Sequence, residues 1–419
     1  MTADKNVPEI RFKGFSGEWG KSPLGSLCLI GDIDHRMPES KITGIPYLMT
    51  GDFYGINGLD FSNAKLISIE DYEQLSKKIK PEFGDILFAR YASVGAVRYV
   101  ETDIKFLISY SCAILKTNNT TYGKYLFYFF QTEKTQGQFE LSINTGSQRN
   151  IGIDSLKSLL VALPKPDEQT QIGNYFQKLD RLINQHQQKH DKLSNIKKAM
   201  LEKMFPKKGE TVPETRFKGF SGEWEDIGLL ESIERVIDFR GRTPKKLGLD
   251  WSPSGYRALS ALNVKQGYID FSIDPHFGDQ ELYDKWMSGS ELHQGQVLFT
   301  TEAPMGNVAQ VPDADKYILS QRTIAFVVKP KVITDAFLAV LLRSSKVFQE
   351  LSALSSGGTA KGVSQKALAN LNVLIPSDLD EQTAIGNYFQ KLDTLINQHQ
   401  QQITKLTNIK QACLSKMFV

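Results

Sequence analysis

Residues 167–205 read DEQTQIGNYFQKLDRLINQHQQKHDKLSNIKKAMLEKMF, and residues 380–418 repeat this stretch with 30 of 39 positions identical. Residues 7–19 read VPEIRFKGFSGEW, and residues 212–224 repeat that box with one difference. The 419-residue chain therefore has two halves, each made of a box, a variable region and a long repeated segment. This pattern indicates that the repeated segments perform the same task twice, while the variable regions perform two different versions of another task. Unequal drift after a duplication is the alternative, but it does not explain the sharp edges of the boxes.

Apolar side chains recur in alternating steps of four and three along both long segments, which is the heptad pattern of a helix with a buried seam. The predicted packing residues are Ile172, Phe176, Leu179, Ile183 and Leu193 in the first copy, and Ile385, Phe389, Leu392, Ile396 and Leu406 in the second. Asp167 and Asp380 are the predicted N-caps. We expect the two helices to pair antiparallel about a pseudo-two-fold axis. The alternative is that each helix packs on its own half or on another chain.

Two histidines of the first long segment have the spacing of metal ligands. His186 and His190 lie four residues apart, on one face of the predicted helix. The internal copy keeps His399 but has Ile403 at the second position. Because isoleucine suits a packed seam and cannot bind a metal, the pattern favours packing, and we predict no metal site.

Composition excludes several classes of protein. Charged residues make up 23% of the chain and the net charge is only +3, which argues against a strongly basic nucleic-acid-binding tail but allows local basic patches. The three cysteines are far apart and none has zinc-site spacing, as expected in a reducing compartment. No stretch approaches 18 consecutive apolar residues, and the first residues lack a signal-peptide pattern. We therefore expect a cytoplasmic protein.

The variable regions have the length and mixed patterning of α+β domains. Short apolar runs at 85–89 and 296–300 predict strands, and residues 122–130 and 335–342 predict helices. Region 20–166 contains 16 basic and 15 acidic residues, and region 225–379 contains 16 and 18. Because neither region is basic as a whole, contact with DNA would have to come from local loops.

Polar and basic loops follow the predicted strands and precede the long segments. Arginine, glutamine and lysine in such loops can bind base edges and phosphates, and nearby glycines allow close approach of the backbone. The candidate DNA-binding residues are Arg90, Tyr91, Gln148, Arg149, Arg240, Arg242, Thr301, Glu302, Met305, Thr359 and Lys361. An ordinary solvated surface loop is the alternative at each of these positions.

Catalytic signatures are missing from the sequence. There is no GxxxxGK[ST] phosphate loop, no GxGxxG after a strand and no [ND]PPY tetrapeptide of an amino-methyltransferase. The chain also lacks HExxH and GxSxG, and no acidic-x-Lys follows the Pro-Asp pairs at 166–167 and 312–313, as a metal nuclease would need. These absences favour a noncatalytic protein.

The arrangement resembles the specificity (S) subunit of type I restriction-modification systems over essentially the whole chain. The resemblance rests on the RFKGFSGEW boxes, the EQTxI openings of both helices and the leads LVALP at 160–164 and VLIP at 373–376. It implies two globular target recognition domains separated by a pair of long antiparallel coiled-coil helices. The implied boundaries are 1–166 for the first box and domain, 167–206 for a spacer helix, 207–379 for the second box and domain, and 380–419 for the second spacer helix.

The resemblance also implies the function and the partners. Each recognition domain would read one half of a bipartite, asymmetric site in double-stranded DNA. Two methyltransferase subunits and the restriction subunits would dock on this chain. S-adenosylmethionine, ATP and Mg²⁺ would be bound by those partners, and this chain would hold no cofactor. A stand-alone DNA methyltransferase or nuclease with degenerate motifs, and a noncatalytic protein-interaction scaffold, are the alternative functions.

Overall fold

The computed structural model describes residues 6–144, 149–355 and 362–419. The chain divides into two compact units. The first contains the residues up to His186 together with Gln401–Val419, and the second contains Gln187–Gln400. Each unit therefore combines one variable region with parts of both long repeated segments. The predicted division of the chain into domains and spacer helices, with boundaries at 166, 206 and 379, stays a prediction.

The first unit contains eleven strands and six helices within its described residues. The strands are β1 Gly20–Pro23, β2 Cys28–Gly31, β3 Ile45–Leu48, β4 Phe53–Tyr54, β5 Gly58–Leu59, β6 Lys65–Ile67, β7 Ile86–Ala89, β8 Val97–Tyr99, β9 Leu107–Ile108, β10 Cys112–Thr117 and β11 Leu160–Leu163. The helices are α1 Leu24–Leu27, α2 Ile69–Leu75, α3 Gly123–Phe129, α4 Glu133–Leu141, α5 Ile153–Ser158 and α6 Pro166–Lys203, of which α6 continues into the second unit.

The second unit adds nine strands and five helices over the part of the chain that is described. The strands are β12 Glu225–Gly228, β13 Ile233–Asp238, β14 Tyr256–Leu259, β15 Phe277–Gly278, β16 Val297–Thr300, β17 Val308–Gln310, β18 Tyr317–Leu319, β19 Thr323–Val328 and β20 Asn372–Ile375. The helices are α7 Gln280–Met287, α8 Asp335–Leu341, α9 Ser345–Leu354, α10 Gln365–Ala369 and α11 Leu379–Lys416, of which α11 continues into the first unit.

The two units share one sheet plan although their variable regions differ in sequence. A four-stranded antiparallel sheet has the order β2-β10-β7-β8 in the first unit and β13-β19-β16-β17 in the second. A three-stranded mixed sheet, β6-β3-β9 or β15-β14-β18, and an antiparallel pair, β1-β11 or β12-β20, also recur, while the pair β4-β5 belongs to the first unit. The predicted α+β class and the internal repeat are confirmed.

The central strands β7 and β16 are continuous apolar runs because both faces of each strand are covered. Ile86 and Phe88 belong to one core cluster, while Leu87, which points to the opposite face, belongs to another. In the second unit Phe299 and Leu298 divide in the same way. The apolar runs that predicted strands at 85–89 and 296–300 therefore reflect burial on two sides.

The long helices pack on their own domains and on each other. In the first unit the Phe176 and Phe418 rings lie 5.7 Å apart, and Tyr175 Oη lies 3.6 Å from Cys413 Sγ. Further along α6, Asp180 binds Lys410 over 2.7 Å, so contact positions rise from Tyr175 to Asp180 while they fall from Cys413 to Lys410 along α11, and the helices run antiparallel, as predicted. Packing on the helix's own half, the alternative, also occurs, since Tyr128 of α3 donates to Asp180 over 2.8 Å.

Burial along the predicted seam is uneven. The side chains near the start of each helix are buried, and Leu193 and Leu406 are half-buried against the second and first cores. The buried seam residues are Ile172, Phe176, Leu179, Ile183, Ile385, Phe389 and Leu392. Ile396 is half-buried. The N-cap prediction is wrong, because Asp167 and Asp380 lie inside the first turn and Asp378 instead accepts from the N–H of Asp380 over 2.8 Å.

The repeated boxes hold the start of each long helix. Arg11 binds both carboxylate oxygens of Glu168 over 2.6 and 2.7 Å. Arg216 binds Glu381 in the same bidentate way, with both distances 2.6 Å. The carboxylates are almost fully buried, so each pair is a shielded fork-to-fork contact. This contact explains why RFKGFSGEW and DEQT are repeated together. No described helix is long and apolar enough to cross a membrane.

Candidate nucleic-acid interface

The loop after β7 is held together by a buried arginine. Arg90 is 6% exposed, and its guanidinium binds the Asp32 carboxylate and donates to the carbonyl of Ile151 over 3.0 Å. The backbone N–H of Arg90 donates to Ser111 over 2.9 Å, and Ile151 donates back to the carbonyl of Arg90. Arg90 therefore joins three chain segments inside the unit. That Arg90 contacts DNA stays a prediction. Because the side chain is buried, it is better placed to support the loop than to bind DNA directly.

Asp32 brings several basic side chains to the end of the four-stranded sheet. His35 Nε2 lies 3.0 Å from Asp32 Oδ2, and Lys78 Nζ lies 3.3 Å from Oδ1. Burial opposes ionisation of Asp32, but the hydrogen bonds from His35 and Lys78 and the charge of Arg90 outweigh it and hold the pKa of this carboxyl below its usual value. The His35 ring also stacks on Tyr110 at 4.8 Å. One buried carboxylate thus holds two solvent-facing basic groups in fixed positions.

The remaining DNA-binding candidates of the first unit lie near this cluster or outside the described residues. Tyr91 is half-buried below the Arg90 guanidinium, which lies 5.4 Å from its ring centre. Arg149 is exposed and binds Glu140 over 2.9 Å. Gln148 lies outside the described residues. Because Ile151 is hydrogen-bonded to Arg90, the segment of Arg149 and the loop after β7 occupy the same end of the sheet.

The second unit repeats this arrangement with different side chains. Thr301 takes the place of Arg90: its N–H donates to Arg322 over 2.8 Å, and its carbonyl accepts from Val363 over 2.9 Å. Thr301 is 1% exposed, so it also lies inside the unit. Glu302 is partly exposed and binds Arg322 over 3.2 Å. Met305 packs against the core, while Thr359 and Lys361 lie outside the described residues.

The basic cluster after β13 is largely engaged by protein groups. Arg240 binds the Asp238 carboxylate through Nε and Nη2. Burial raises the pKa of Asp238, but the hydrogen bonds and charge of Arg240 outweigh burial, so the pKa of Asp238 lies below its usual value. Arg242 donates to the carbonyl of Trp286 and lies 4.3 Å over the ring of Phe239. Both arginines therefore order the loop, and their DNA contact stays a prediction.

A cavity of about 450 Å³ opens beside these loops in the second unit. Its wall includes Trp251, Trp286, His276, Gln321 and Arg322. Two polar pairs lie in or beside this wall, namely Asp274 with the His276 ring over 2.6 Å and the ion pair of Glu302 with Arg322. Aromatic faces and paired charges give this end of the unit a varied polar surface. Among the described residues no cluster of three or more histidine, cysteine or acidic side chains could hold a metal ion.

Sequence reasoning missed Asp32, His35, Lys78, Tyr110 and Arg322. A signal for part of this set was present: residues 32–38 read DIDHRMP and residues 238–244 read DFRGRTP, which share the pattern DxxxRxP after the first strand of each large sheet. Strand register places both aspartates at equivalent positions. No local pattern marks Lys78, Tyr110 or Arg322, because each reaches the interface from a distant part of the chain.

Comparison with known proteins accounts for this repeated architecture. The family described as Type I restriction modification DNA specificity domain matches residues 16–195 and again residues 239–408. The type I restriction enzyme MjaVIII specificity subunit of Methanocaldococcus jannaschii is 25% identical over 278 residues, which cover 64% of each chain. A second protein of that organism, provisionally named type I restriction enzyme MjaX specificity subunit, is 26% identical over 344 residues, 79% of this chain and 77% of the relative.

A solved structure has the same fold. The crystal structure of the type I restriction-modification system S subunit from M. genitalium aligns with a TM-score of 0.63 over 99% of both chains at 15% identity, a likeness that concerns the fold alone. The family match is decisive for identity, because it covers most of the sequence in two copies. The chain therefore belongs to the type I restriction-modification DNA specificity family and is a noncatalytic specificity subunit.

Proposed function

We propose that this chain reads a bipartite, asymmetric site in double-stranded DNA for a type I restriction-modification complex. Each unit would recognise one half of the site through the loops at one end of its four-stranded sheet. The observation that carries the proposal is the contrast between a shared frame and different reading side chains. Glu302 and Arg322 stand where the first unit has Tyr91 and Ser111, on the same strand register. Different side chains on one frame suit two different half-sites.

The near-identical long helices support the docking of two copies of one partner. Two methyltransferase subunits would each bind one copy of the repeated segment, and restriction subunits would join the complete cytoplasmic complex. Exposed side chains that recur in both copies offer each partner the same contacts, for example Gln185 with its counterpart Gln398 and Lys192 with its counterpart Lys405. S-adenosylmethionine, ATP and Mg²⁺ would be bound by those partners, and this chain would supply sequence recognition alone.

Selection from random DNA tests the proposal. The chain is purified with its cognate methyltransferase subunits and incubated with a random duplex library, and bound DNA is sequenced. We expect enrichment of two short motifs separated by a gap of fixed length. Enrichment of a single uninterrupted motif would contradict the division into two reading units. Stable complex formation without any enriched sequence would favour the protein-interaction scaffold over a DNA reader.

A further inference from the structure

Glu302 and Arg322 stand on a fixed frame. The carbonyl of Arg322 accepts from both the N–H and the hydroxyl of buried Thr301, over 2.8 and 3.2 Å. Glu302 forms a β-bridge with Gly362, and Val363 donates to the carbonyl of Thr301. Three chain segments thus fix the two backbones relative to each other. Side chains on such a frame are pre-organised to bind a ligand.

The two side chains face solvent, where their pairing adds little stability. The Arg322 side chain is 56% exposed and the Glu302 side chain 44%, with 3.2 Å between Nε and Oε1. Water screens an exposed pair of this kind, so its contribution to stability is small. Arg322 also has a φ of 64°, a left-handed conformation that is unfavourable for a residue with a side chain. Stability therefore does not explain this pair.

The chemistry of the pair matches one kind of base pair. A guanidinium offers two donors side by side, and the adjacent carboxylate offers an acceptor. In the major groove a G·C pair presents two acceptors, guanine N7 and O6, followed by the N4 donor of cytosine. An A·T pair presents an acceptor, a donor and an acceptor instead, so the adenine N6 donor would face a donor of the guanidinium. Arginine to guanine and glutamate to cytosine are both established forms of readout.

We propose that Glu302 and Arg322 together read one G·C base pair in the half-site of the second unit, an inference that rests on the proposed DNA-reading function. Arg322 binds guanine N7 and O6, and Glu302 accepts from cytosine N4. The exposed ion pair opens at small cost because water already screens it. The first unit has Tyr91 and Ser111 at the equivalent positions, and the N–H of Arg90, the residue before Tyr91, donates to the Ser111 carbonyl as Thr301 does to Arg322. Neither supplies the two-donor guanidinium or the carboxylate, so this paired readout belongs to the half-site of the second unit.

Mapping of methylated sites tests this assignment. The complex with its cognate methyltransferase subunits methylates genomic DNA in a host that lacks other methylation, and modified adenines are located by sequencing. Arg322→Gln and Glu302→Gln are compared with the unchanged chain and with Arg235→Gln. Arg235 is an exposed arginine on β13, outside the reading loops, and serves as the matched control.

The inference predicts that both test variants lose preference at the same single G·C position, by about tenfold or more for Arg322→Gln. The other half-site and the Arg235→Gln motif stay unchanged. Variants that keep the full motif would overturn the assignment while leaving the reading function intact. An unchanged chain that methylates no bipartite motif would overturn the reading function itself. If Arg322→Gln prevents assembly, the conservative Glu302→Gln change decides the question.

Discussion

At the residue scale, Asp32 is the most consequential group of the first unit, because three basic side chains depend on one buried carboxylate. Arg90 is itself buried, so loss of the Asp32 charge leaves a guanidinium without its counter-ion. Removing one partner of a buried pair costs about 3–5 kcal/mol. We expect Asp32→Asn to lower the free energy of unfolding of the first unit by this amount, measured from amide hydrogen exchange along β7. The exposed neighbour Asp34→Asn is the control, and equal effects of both changes would contradict this role.

The same carboxylate sets a pH dependence. Because the folded pKa of Asp32 lies below the ordinary value of 3.8, the native state favours the ionised form. Its contribution to stability is complete above the unfolded pKa and disappears as the pH falls through the lower folded pKa. The difference in unfolding free energy between the original chain and Asp32→Asn should therefore shrink below about pH 4. A difference that stays constant down to about pH 2 would show that the charge is not responsible.

This cluster also marks the limit of sequence reasoning about the interface. The loop of Arg90 and Tyr91 was predicted from its position after an apolar run, and that strand is confirmed. The burial of Arg90 could not be predicted, because its partner Asp32 lies 58 residues away. Arg322 was missed for a similar reason, since its position depends on a backbone contact with Thr301, 21 residues away. Composition and loop patterns locate the candidate loops but do not separate supporting from exposed arginines.

At the element scale, close approach of a helix to the domain explains one glycine of the long repeat. A Cβ at Gly386 would lie 2.5 Å from the Ala336 Cβ and 2.7 Å from the Ala336 carbonyl carbon, so backbone would have to move. Overpacking of this kind costs about 1–3 kcal/mol, more than the helical preference for alanine returns. We expect Gly386→Ala to destabilise the second unit, measured by hydrogen exchange of α8.

A second helical glycine provides the matched control. Gly137 in α4 is exposed, and a Cβ there would meet nothing within 4 Å. Gly137→Ala should therefore stabilise its unit by about 0.4–1 kcal/mol through the unfolded chain. Stabilisation by both substitutions would mean that α11 does not approach α8 as closely as described.

Buried ion pairs fix the pairing of the two long helices. Lys410 of α11 binds Asp180 of α6 over 2.7 Å in the first unit, and Lys197 of α6 binds Asp393 of α11 over 2.5 Å in the second. Asp393 has a second cation, Arg343, whereas the other described partner of Asp180 is the Tyr128 hydroxyl.

Because Asp393 keeps a second cation and Asp180 has none among the described residues, we expect the two lysine substitutions to differ in their cost. Lys410→Ala should cost about 3–5 kcal/mol, because it leaves Asp180 buried without a cation, and Lys197→Ala should cost less. Hydrogen exchange of the helix segments in each unit measures both effects, with exposed Lys405→Ala as control. A larger effect of Lys197→Ala would contradict the described partners.

The repeated helices were the most predictable elements. Near-identity of two long segments and a sustained heptad pattern predicted both helices and their antiparallel pairing. The seam prediction was too uniform, because the first half of each helix also packs against its own domain. Tyr122 and Gln169 illustrate this second contact, in which the backbone of Tyr122 donates to the Gln169 side chain over 2.9 Å. A heptad pattern indicates which face is buried but not what covers it.

At the scale of the whole molecule, the chain is two copies of one frame that differ in their loops. Each unit takes its sheets from one variable region and its helices from both repeated segments. This arrangement lets the loops diverge while the helices and boxes stay nearly constant. If the loops carry recognition, one variable region can be replaced without affecting the reading of the other half-site.

Exchange of one variable region tests this central claim most directly. Residues 20–150 are replaced by the corresponding region of a related specificity subunit, and the adenines methylated by the assembled complex are mapped by sequencing. We predict a site with one new half, one unchanged half and the original gap between them. A change in both halves, or no change in either, would contradict the claim that each unit reads its own half-site.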